Sequence, residues 1–502
     1  MPTPAPGWEI HLPAGSSREL DLLADGALPA RLRRRWSERP SWPQLRDIDD
    51  RWLWSSELEQ RSRSIAARLL GAGLEPGQRV LIGGPSSAEL VLCYLGALRA
   101  RLVLVPINPD YSRPEVARIL ADARPAAALL GEDRLARWVR KDAPEPLRLA
   151  GLDGQLEGVG THSAPELDSA RPDDTALLIY TSGTTGAPKG VPLTHANLLA
   201  SASAVALAWR WSADDRLLLS LPLFHVHGLG VGVLGALCAG SSVELRPRFA
   251  VEDVLARCAG GGVTLLFGVP TMYARLAASG RARELGRLRL VVSGSAPLPA
   301  SLARELAAAI GQMPLERYGM TETMMLSSNP YEGERRPGTV GFPLPGVRLR
   351  LAEDGEIQAR GPNVIAGYFR QPQASAAAFT SDGWFRTGDL GALDDDGYLR
   401  IIGRNKELII TGGYNVHPRE VEERLLEHPA VREAAVAGRP SREWGEEVTA
   451  FIVAAEPIAA EELRAHAAAG LAPYKVPKRF EFVEELPRNA MGKIVRERLV
   501  AD

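Results

Sequence analysis

Apolar runs of strand length alternate with helical patterns in the first half of the chain. RVLIGG (79–84) is a short apolar run, SSAELVLCYLGALRA (86–100) has helical spacing, and LVLVPIN (102–108) is again of strand length. This order predicts a strand–helix–strand unit, the element from which parallel sheets are built. The pattern therefore predicts an α/β fold for this part of the protein.

Three later apolar runs predict strands of the same kind: TALLIY (175–180), VTLLFGVP (263–270) and LRLVVSGSAP (288–297). Each ends in residues that favour turns. A helix is predicted soon after the first of them, with Thr194 or Asn197 as its cap.

The pattern changes towards the C-terminus. Shorter, alternating strands at 355–364 and 397–410 predict a β-rich region, and helices and strands follow in a unit of α+β composition. We predict a large N-terminal domain (1–404), made of stacked α/β subdomains plus a β-rich subdomain. The remaining residues (405–502) are predicted to form a small, mobile α+β domain of ordinary domain size.

Composition narrows the function classes. The chain has 502 residues and a formal net charge of −2, so no overall charge favours nucleic acid or an anionic membrane. The three cysteines, Cys93, Cys238 and Cys258, match no metal-ligand spacing and predict buried thiols in a reducing compartment. No signal-peptide pattern is visible, and the longest apolar stretch (228–240) is too short to span a bilayer. We therefore expect a cytoplasmic protein.

A loop of small residues follows the predicted strand at 175–180. In YTSGTTGAPKG (180–190), backbone N–H groups, hydroxyls and one lysine could wrap an anion closely. The loop lacks the Walker pattern of glycine, lysine and Ser/Thr. Its chemistry indicates phosphate binding, and the alternative is a flexible surface loop.

Three further residues could complete a nucleotide site. Asp389 in RTGDLG and Arg404 in GRNKELI could hold the two hydroxyls of a ribose. Lys493, one of only six lysines, lies in a Gly-Lys step where a flexible ammonium could reach a site on another domain. Taken singly, each could instead be an ordinary turn or surface residue.

The segments YTSGTTGAPKG, SGSAPLP, RYGMTET, WFRTGDLG, GRNKELIITGGYNV and PRNAMGK occur in this order. The set resembles the adenylate-forming superfamily, which includes acyl-CoA synthetases, luciferase-like enzymes and peptide-synthetase adenylation domains. The resemblance runs from about residue 50 to the end of the chain.

The resemblance implies a role for each matching residue. Lys493 would bridge the attacking carboxylate and the α-phosphate, Thr321 would contact that phosphate, and Glu322 would ligate Mg²⁺. Lys406 would be the hinge of a rotating C-terminal domain, and Gly412 and Gly413 would line the tunnel of the CoA thiol. The other residues implied in ATP binding are Thr181, Ser182, Gly183, Thr184, Thr185, Gly186 and Lys189 for the β- and γ-phosphates, Ser295, Ala296, Pro297 and Tyr318 around the adenine, Asp389 and Arg404 at the ribose, and Gly319 and Met320 elsewhere in the ATP site.

Two arginines fall within the segments that would line the carboxylate pocket, Arg275 in TMYAR and Arg317 in ERYGMTE. Burying guanidinium groups without an anion is costly, so they indicate a second carboxylate on the substrate. The surrounding segments resemble the malonyl-CoA synthetases, in which matching arginines bind the distal carboxylate of malonate. His225 would assist at the reacting carboxylate. The alternatives are an internal ion pair for Arg317, a helix-surface position for Arg275 and a packed or gating role for His225.

The sequence therefore predicts a malonate–CoA ligase that uses malonate, ATP, CoA and Mg²⁺. One alternative is an acyl-CoA synthetase for methylmalonate or for a short or medium monocarboxylate. Another is an adenylation enzyme that loads a carrier-protein thiol, although the chain ends soon after Lys493 without a carrier domain. No nucleic-acid or membrane partner is expected, and the sequence gives no oligomeric state.

Overall fold

The structure is a computed structural model that describes residues 3–4, 7–13, 15, 20–143, 147–155, 166–181, 189–489 and 493–500. Five residues of the predicted phosphate loop lie outside the described residues, and their roles stay predictions: Ser182, Gly183, Thr184, Thr185 and Gly186.

The predicted strand–helix–strand unit and the three later strands are present, together with elements that the pattern did not predict. In chain order the helices are α1 (Leu28–Glu38), α2 (Ser55–Gly71), α3 (Ala88–Arg99), α4 (Arg113–Ala123), α5 (Asp133–Asp142), α6 (His195–Ala208), α7 (Gly235–Ala239), α8 (Val251–Ala259), α9 (Pro270–Ala278), α10 (Ala300–Ile310), α11 (Pro372–Ala377), α12 (Pro418–Leu426) and α13 (Ala460–Ala468). The strands are β1 (Thr3–Pro4), β2 (Pro43–Arg46), β3 (Trp52–Trp54), β4 (Arg79–Gly83), β5 (Val103–Pro106), β6 (Ala127–Leu130), β7 (Arg148–Ala150), β8 (Thr175–Thr181), β9 (Lys189–Thr194), β10 (Arg216–Leu219), β11 (Ser242–Leu245), β12 (Leu265–Gly268), β13 (Leu290–Ser293), β14 (Leu315–Met320), β15 (Met324–Ser328), β16 (Phe342–Pro343), β17 (Arg348–Leu351), β18 (Glu356–Arg360), β19 (Phe385–Leu393), β20 (Leu399–Arg404), β21 (Ile409–Thr411), β22 (Tyr414–Val416), β23 (Val431–Ser441), β24 (Gly445–Ala454) and β25 (Arg479–Phe482). A π-helix covers Val226–Leu234, and 3₁₀ turns cover Trp8–His11, Ala282–Arg287, Asn405–Glu407, Pro473–Lys475 and Arg496–Arg498.

A six-stranded sheet contains the first predicted strand–helix–strand unit. Its strand order is β7-β6-β4-β5-β8-β9, and all neighbours are parallel except β8 and β9. The sequence did not predict β9, which pairs antiparallel with β8 so that Thr181 lies opposite Lys189. The predicted phosphate loop is therefore the connection between two paired strands.

A nine-stranded sheet has the order β16-β15-β14-β13-β12-β10-β11-β2-β3. From β14 to β2 the neighbouring strands are parallel. Ligands of open α/β sheets bind beyond the carboxyl ends of such strands. The segments after β10 and β13, and the end of β14, bring His225, Ser295 and Tyr318 to this edge.

One apolar cluster joins the two large sheets. Residues of β4, β5 and β8 from one sheet, and of β10 and β12 from the other, share this cluster with α3 and α6. Helix α6 is apolar on nearly all sides, which is typical of a helix inside a core. Its cap is reciprocal, because Thr194 Oγ1 accepts from the Asn197 N–H (3.1 Å) and Asn197 Oδ1 accepts from the Thr194 N–H (2.9 Å).

The β-rich region and the C-terminal unit are separate sheets. Strands β1-β17-β18-β19-β20 form an antiparallel sheet, while β22-β21-β24-β23, with β25 beside β24, carry α12 and α13. On α12, Val421 and Leu425 are four residues apart and both face the core, which explains the predicted helix. The large α/β part and the small C-terminal part confirm the predicted fold class. The boundary at residue 404 and the mobility of the smaller part stay predictions.

The cysteines and the helices agree with two further expectations. All three cysteines are free and buried, and burial raises the pKa of the Cys93 and Cys258 thiols to about 12 and of Cys238 to about 11. Such thiols are inert at neutral pH. Within the part of the chain that the structure describes, no helix has the length and apolar character needed to cross a bilayer.

Candidate active site

Asp389 contacts both Tyr318 and Arg404, the two other residues that the sequence predicted around a nucleoside. Its Oδ2 accepts a hydrogen bond from the Tyr318 hydroxyl (2.6 Å), and its Oδ1 lies 2.8 Å from Arg404 Nε. Asp389 and Arg404 are cross-strand partners on β19 and β20. Burial and the neighbouring carboxylate raise the pKa of Tyr318 well above its usual value, so the hydroxyl stays a donor. The structure thus brings Tyr318, Asp389 and Arg404 together, and their contact with adenine and ribose stays a prediction.

The turn after β13 carries the other predicted adenine residues. Ser295 has a φ of 69°, in the left-handed region that non-glycine residues rarely adopt. Ser295 and Ala296 are half-buried and Pro297 is exposed, while Gly319 and Met320 continue β14 and are half-buried. Backbone strain of this kind is found at binding sites.

Glu322 is a buried carboxylate in the turn between β14 and β15. It is 7% exposed, and its Oε1 accepts a hydrogen bond from the Tyr368 hydroxyl (3.2 Å). Burial raises the pKa of Glu322 above its usual value. Lys189 lies on the same ring, with its Nζ 4.9 Å from the Tyr368 ring centroid. Tyr368 therefore links the phosphate-loop lysine to Glu322, and no sequence motif singled it out. Half-buried Thr321 precedes Glu322 in the same turn.

Lys493 comes from the C-terminal part, and its charge interacts with those of Asp389, Arg404 and Glu322. Its backbone N–H donates to Asn489 Oδ1 (3.0 Å). Desolvation lowers the pKa of the ammonium, and Arg404 and Arg317 lower it further, whereas Asp389 and Glu322 oppose them. Part of the Lys493 side chain nevertheless remains exposed to solvent. This electrostatic environment places one lysine near both the ribose pair and the buried carboxylate.

Arg317 is a buried cation with no ion-pair partner among the described residues. It is 4% exposed, and its Nε and Nη2 have no hydrogen-bond partner within the described residues. Burial lowers the pKa of Arg317 to about 10, which still leaves the guanidinium charged at neutral pH. The alternative of a pair with Glu316 does not occur, because Glu316 accepts from the Leu298 N–H (2.9 Å) on the other face of β14.

The expectation of a second buried guanidinium is wrong for Arg275. Its side chain is exposed on α9, with the guanidinium carbon 5.0 Å from the Phe249 ring centroid. Met272, Tyr273 and Leu276 occupy the buried face of this short helix, so the helical period turns Arg275 outwards. The desolvation argument therefore applies to Arg317 alone.

Two histidines follow β10, and only the first was singled out from the sequence. His225 precedes the π-helix, and burial, followed by the charge of Lys493, lowers its pKa to about 3. It is therefore neutral at physiological pH. His227 lies inside the π-helix, is 2% exposed and has its Nδ1 3.0 Å from Ser295 Oγ. π-Helices are rare and are frequently found at functional sites.

The residues with predicted hinge and CoA roles lie outside this cluster. Lys406 is exposed in the 3₁₀ turn after β20. Gly412 and Gly413, with φ of 57° and 82°, form the exposed turn between β21 and β22. Left-handed backbone at two successive positions explains the glycine pair, and the hinge and tunnel roles stay predictions.

Family models match most of the chain. Residues 32–369 match the AMP-binding enzyme model, and residues 420–493 match the model of the AMP-binding enzyme C-terminal domain. The chain belongs to the AMP-binding enzyme family, which is the adenylate-forming superfamily. Within it, the protein is an AMP-forming acyl-CoA ligase, a class of enzyme for which ATP and CoA are substrates.

Relatives act on several kinds of acid. The malonate–CoA ligase of Arabidopsis thaliana is 36% identical over 477 residues, covering 86% of this chain and 80% of that protein. The sulfoacetate–CoA ligase of Cupriavidus necator is 40% identical over 467 residues (87% and 89%). A feruloyl-CoA synthase from an Amycolatopsis species is 37% identical over 461 residues (88% and 92%).

Two solved structures differ in how well they superpose. The ATP-bound MatB of Rhodopseudomonas palustris has a TM-score of 0.88 at 37% identity, covering 95% of this chain and 98% of that chain. A malonyl-CoA ligase with methylmalonyl-CoA and AMP bound has a TM-score of 0.66 at 43% identity (89% and 97%). The more similar sequence therefore has the less similar overall arrangement.

Proposed function

We propose that the protein is a malonate–CoA ligase. It would convert malonate, ATP and CoA into malonyl-CoA, AMP and pyrophosphate through a malonyl-adenylate. The observation that carries this proposal is the buried guanidinium of Arg317, whose Nε and Nη2 lack partners among the described residues. A buried charge without a partner costs several kcal/mol, and a bound anion removes much of that cost.

A second acid group on the substrate supplies that anion. One carboxylate must react at the α-phosphate near Lys493, so the anion beside Arg317 has to be a different group. The similarity to a malonate ligase and to a sulfoacetate ligase supports such a substrate, since both acids carry two anionic groups. The feruloyl-CoA synthase at comparable identity leaves a monocarboxylate as the competing substrate class.

In the first half-reaction, a malonate oxygen attacks the α-phosphorus of ATP and the bond to the β-phosphate oxygen breaks. Like charges repel as these oxygens approach. The Lys493 ammonium would neutralise part of this charge and Thr321 would donate to the α-phosphate. Neutral His225 can approach the reacting carboxylate as a hydrogen-bond donor without being an acid at neutral pH.

Glu322 fits a magnesium ligand. It is a buried carboxylate that accepts a hydrogen bond from the neutral hydroxyl of Tyr368. Mg²⁺ is commonly held by one or two carboxylates together with substrate phosphates. Bound there, the ion would stabilise negative charge on the phosphate oxygens. Lys189, beside the same tyrosine ring, would complete the cationic environment.

In the second half-reaction, the CoA thiol attacks the acyl carbon, and the bond from that carbon to the AMP oxygen breaks. The exposed Gly412–Gly413 turn would have to approach the adenylate for this step, and Lys493 would have to withdraw. Rotation of the C-terminal part about Lys406 accomplishes both. The lower TM-score against the structure with a CoA thioester and AMP bound supports two arrangements of this kind.

The proposal is tested by CoA-dependent AMP release with malonate, methylmalonate, succinate, acetate, butyrate and octanoate. We expect malonate to be preferred, because a monocarboxylate would leave Arg317 unpaired, and such sites reject the wrong analogue by up to about 10⁴-fold. Preference for methylmalonate would move the assignment to a substituted malonate. Preference for the monocarboxylates would contradict it.

Replacing the arginine gives the matching residue test. Arg317→Ala should abolish malonate use while ATP binding, measured by calorimetry, is largely kept. Arg317→Lys should recover only a small part, since an ammonium cannot form a bidentate pair with a carboxylate. Malonate turnover that survives in Arg317→Ala would rule out the proposed pocket.

A further inference from the structure

His227 has one ring nitrogen engaged and one without a partner. Nδ1 lies 3.0 Å from Ser295 Oγ, whereas Nε2 is buried and has no hydrogen-bond partner among the described residues. An unpaired buried polar atom destabilises the protein unless something bound satisfies it. Because the side chain is only 2% exposed, bulk water does not solvate it.

The unpaired Nε and Nη2 of Arg317 lie in the same part of the molecule as His227. The charge of Arg317 acts directly on His227, second only to burial in lowering the pKa of the imidazole well below its usual value. Gly294, next to Ser295, lies against the guanidinium. The His227 ring stacks on Phe267, with centroids 6.3 Å apart and planes inclined by 25°, which fixes its orientation. The two groups with unsatisfied atoms are therefore neighbours with little freedom to move.

The imidazole is neutral, so only one of its nitrogens carries hydrogen. If Ser295 donates its hydroxyl to Nδ1, the hydrogen lies on Nε2, and Nε2–H is a donor. If Nδ1–H donates to Ser295 instead, Nε2 is an acceptor, and a carboxylate placed there would be repelled. The contact with Ser295 thus decides what His227 can bind.

We infer that His227 is a specificity-determining residue, whose Nε2–H donates to the acid group of the substrate that does not react. Arg317 supplies the charge for this group, and Ser295 holds the histidine in the donating tautomer. The inference rests on the proposed function to the extent that the substrate carries a second acid group. It assigns to His227 the second donor that the sequence had placed on Arg275, which is exposed on α9.

Kinetics with two acids separate this role from a structural one. His227→Ala should lower kcat/KM for malonate by about 10- to 100-fold, the range for a hydrogen bond to a charged group, with most of the loss in KM. The KM for ATP and the slow turnover of butyrate should change less than threefold, because butyrate has no group to bind there. His227→Gln, whose amide can donate, should restore part of the malonate activity.

His195 provides a matched control. It is another buried histidine, 1% exposed, with both ring nitrogens unpartnered among the described residues, and it begins α6 beside Asp174. His195→Ala should change malonate and butyrate turnover by the same factor. A selective effect of His227→Ala, absent in His195→Ala, supports the inference.

The tautomer can be measured without turnover. In protein labelled with ¹⁵N-histidine, the two-bond ¹H–¹⁵N correlations of His227 should show a protonated Nε2 and an unprotonated Nδ1, and malonate should shift the Nε2 resonance. A protonated Nδ1 would overturn the inference, because Nε2 could then only accept. Equal loss of malonate and butyrate activity in His227→Ala would also overturn it, while wild-type preference for malonate leaves the proposed function intact. A wild-type preference for butyrate would overturn both.

Discussion

At the scale of single residues, Gly294 illustrates how space rather than backbone conformation requires a glycine. A Cβ at this position would lie 2.3 Å from both the guanidinium carbon and Nε of Arg317. The φ of Gly294 is outside the left-handed region, so an alanine meets no backbone penalty there. The missing side chain is what allows the buried arginine to cross the end of β13.

Gly294→Ala should therefore act as an indirect mutation of Arg317. Overpacking of this kind typically costs about 1–3 kcal/mol, and here the guanidinium must move to relieve it. We expect kcat/KM for malonate to fall at least about tenfold, with the KM for ATP within about twofold of wild type. Gly151→Ala is the control, since its Cβ would meet its nearest atom at 3.5 Å, an ordinary contact. Unchanged malonate kinetics in Gly294→Ala would mean that Arg317 does not have to stay where the structure has it.

At the scale of elements, strand β14 presents two buried charged residues on opposite faces. Arg317 lies against Gly294. Glu316 points to the opposite face, with Oε1 accepting from the Leu298 N–H and Oε2 unpartnered within the described residues. Burial raises the pKa of Glu316 from 4.5 to about 7, against the opposing charge of Arg419 on α12. Two residue types that normally pair are separated by the alternation of the strand.

The sign of the resulting pH dependence follows from this raised pKa. The folded protein keeps the Glu316 proton up to pH of about 7, whereas the unfolded chain releases it near 4.5, so stability falls between these values as pH rises. A pKa difference of one corresponds to about 1.4 kcal/mol, so the loss in the free energy of unfolding approaches an upper limit of about 3 kcal/mol. Glu316→Gln should remove it, since the amide keeps the acceptor for Leu298.

Urea denaturation of both proteins at pH 5 and pH 8 measures this difference. The urea midpoint of Glu316→Gln minus that of the wild type should be larger at pH 8 than at pH 5. An equal shift of both proteins would show that Glu316 is ionised in the folded state throughout.

At the scale of the whole molecule, local patterns predicted the elements and motif order predicted the family, but neither predicted all of the site. The chemistry of a ribose site predicted that Asp389 and Arg404 act together, and the register of β19 and β20 makes them cross-strand neighbours. Arg275 was misplaced because motif position does not give the phase of a helix on a core. Tyr368 was missed because its partner Glu322 is 46 residues away, and only the fold brings them together. His227 was missed because its unpaired nitrogen becomes visible only in three dimensions.

The reach of the C-terminal part into the large part leads to a prediction about the two half-reactions. Lys493→Ala should stop formation of the adenylate, measured by pyrophosphate exchange, because the proposed role of the lysine is confined to that step. The same variant should still convert supplied malonyl-adenylate and CoA into malonyl-CoA. Lys141→Ala on the exposed side of α5 is the control and should affect neither step. Equal loss of both steps would contradict the assignment of separate arrangements.

The position of Arg404 bears on how the nucleotide product is released. It is the last residue of β20, and the chain continues through Asn405–Glu407 towards the C-terminal sheet. The guanidinium that holds Asp389, and through it Tyr318, is therefore attached directly to the segment that a moving domain would pull. If the C-terminal part rotates as proposed, departure of AMP and return of the domain would be parts of one event, and the turnover rate would be set by the backbone segment Asn405–Glu407.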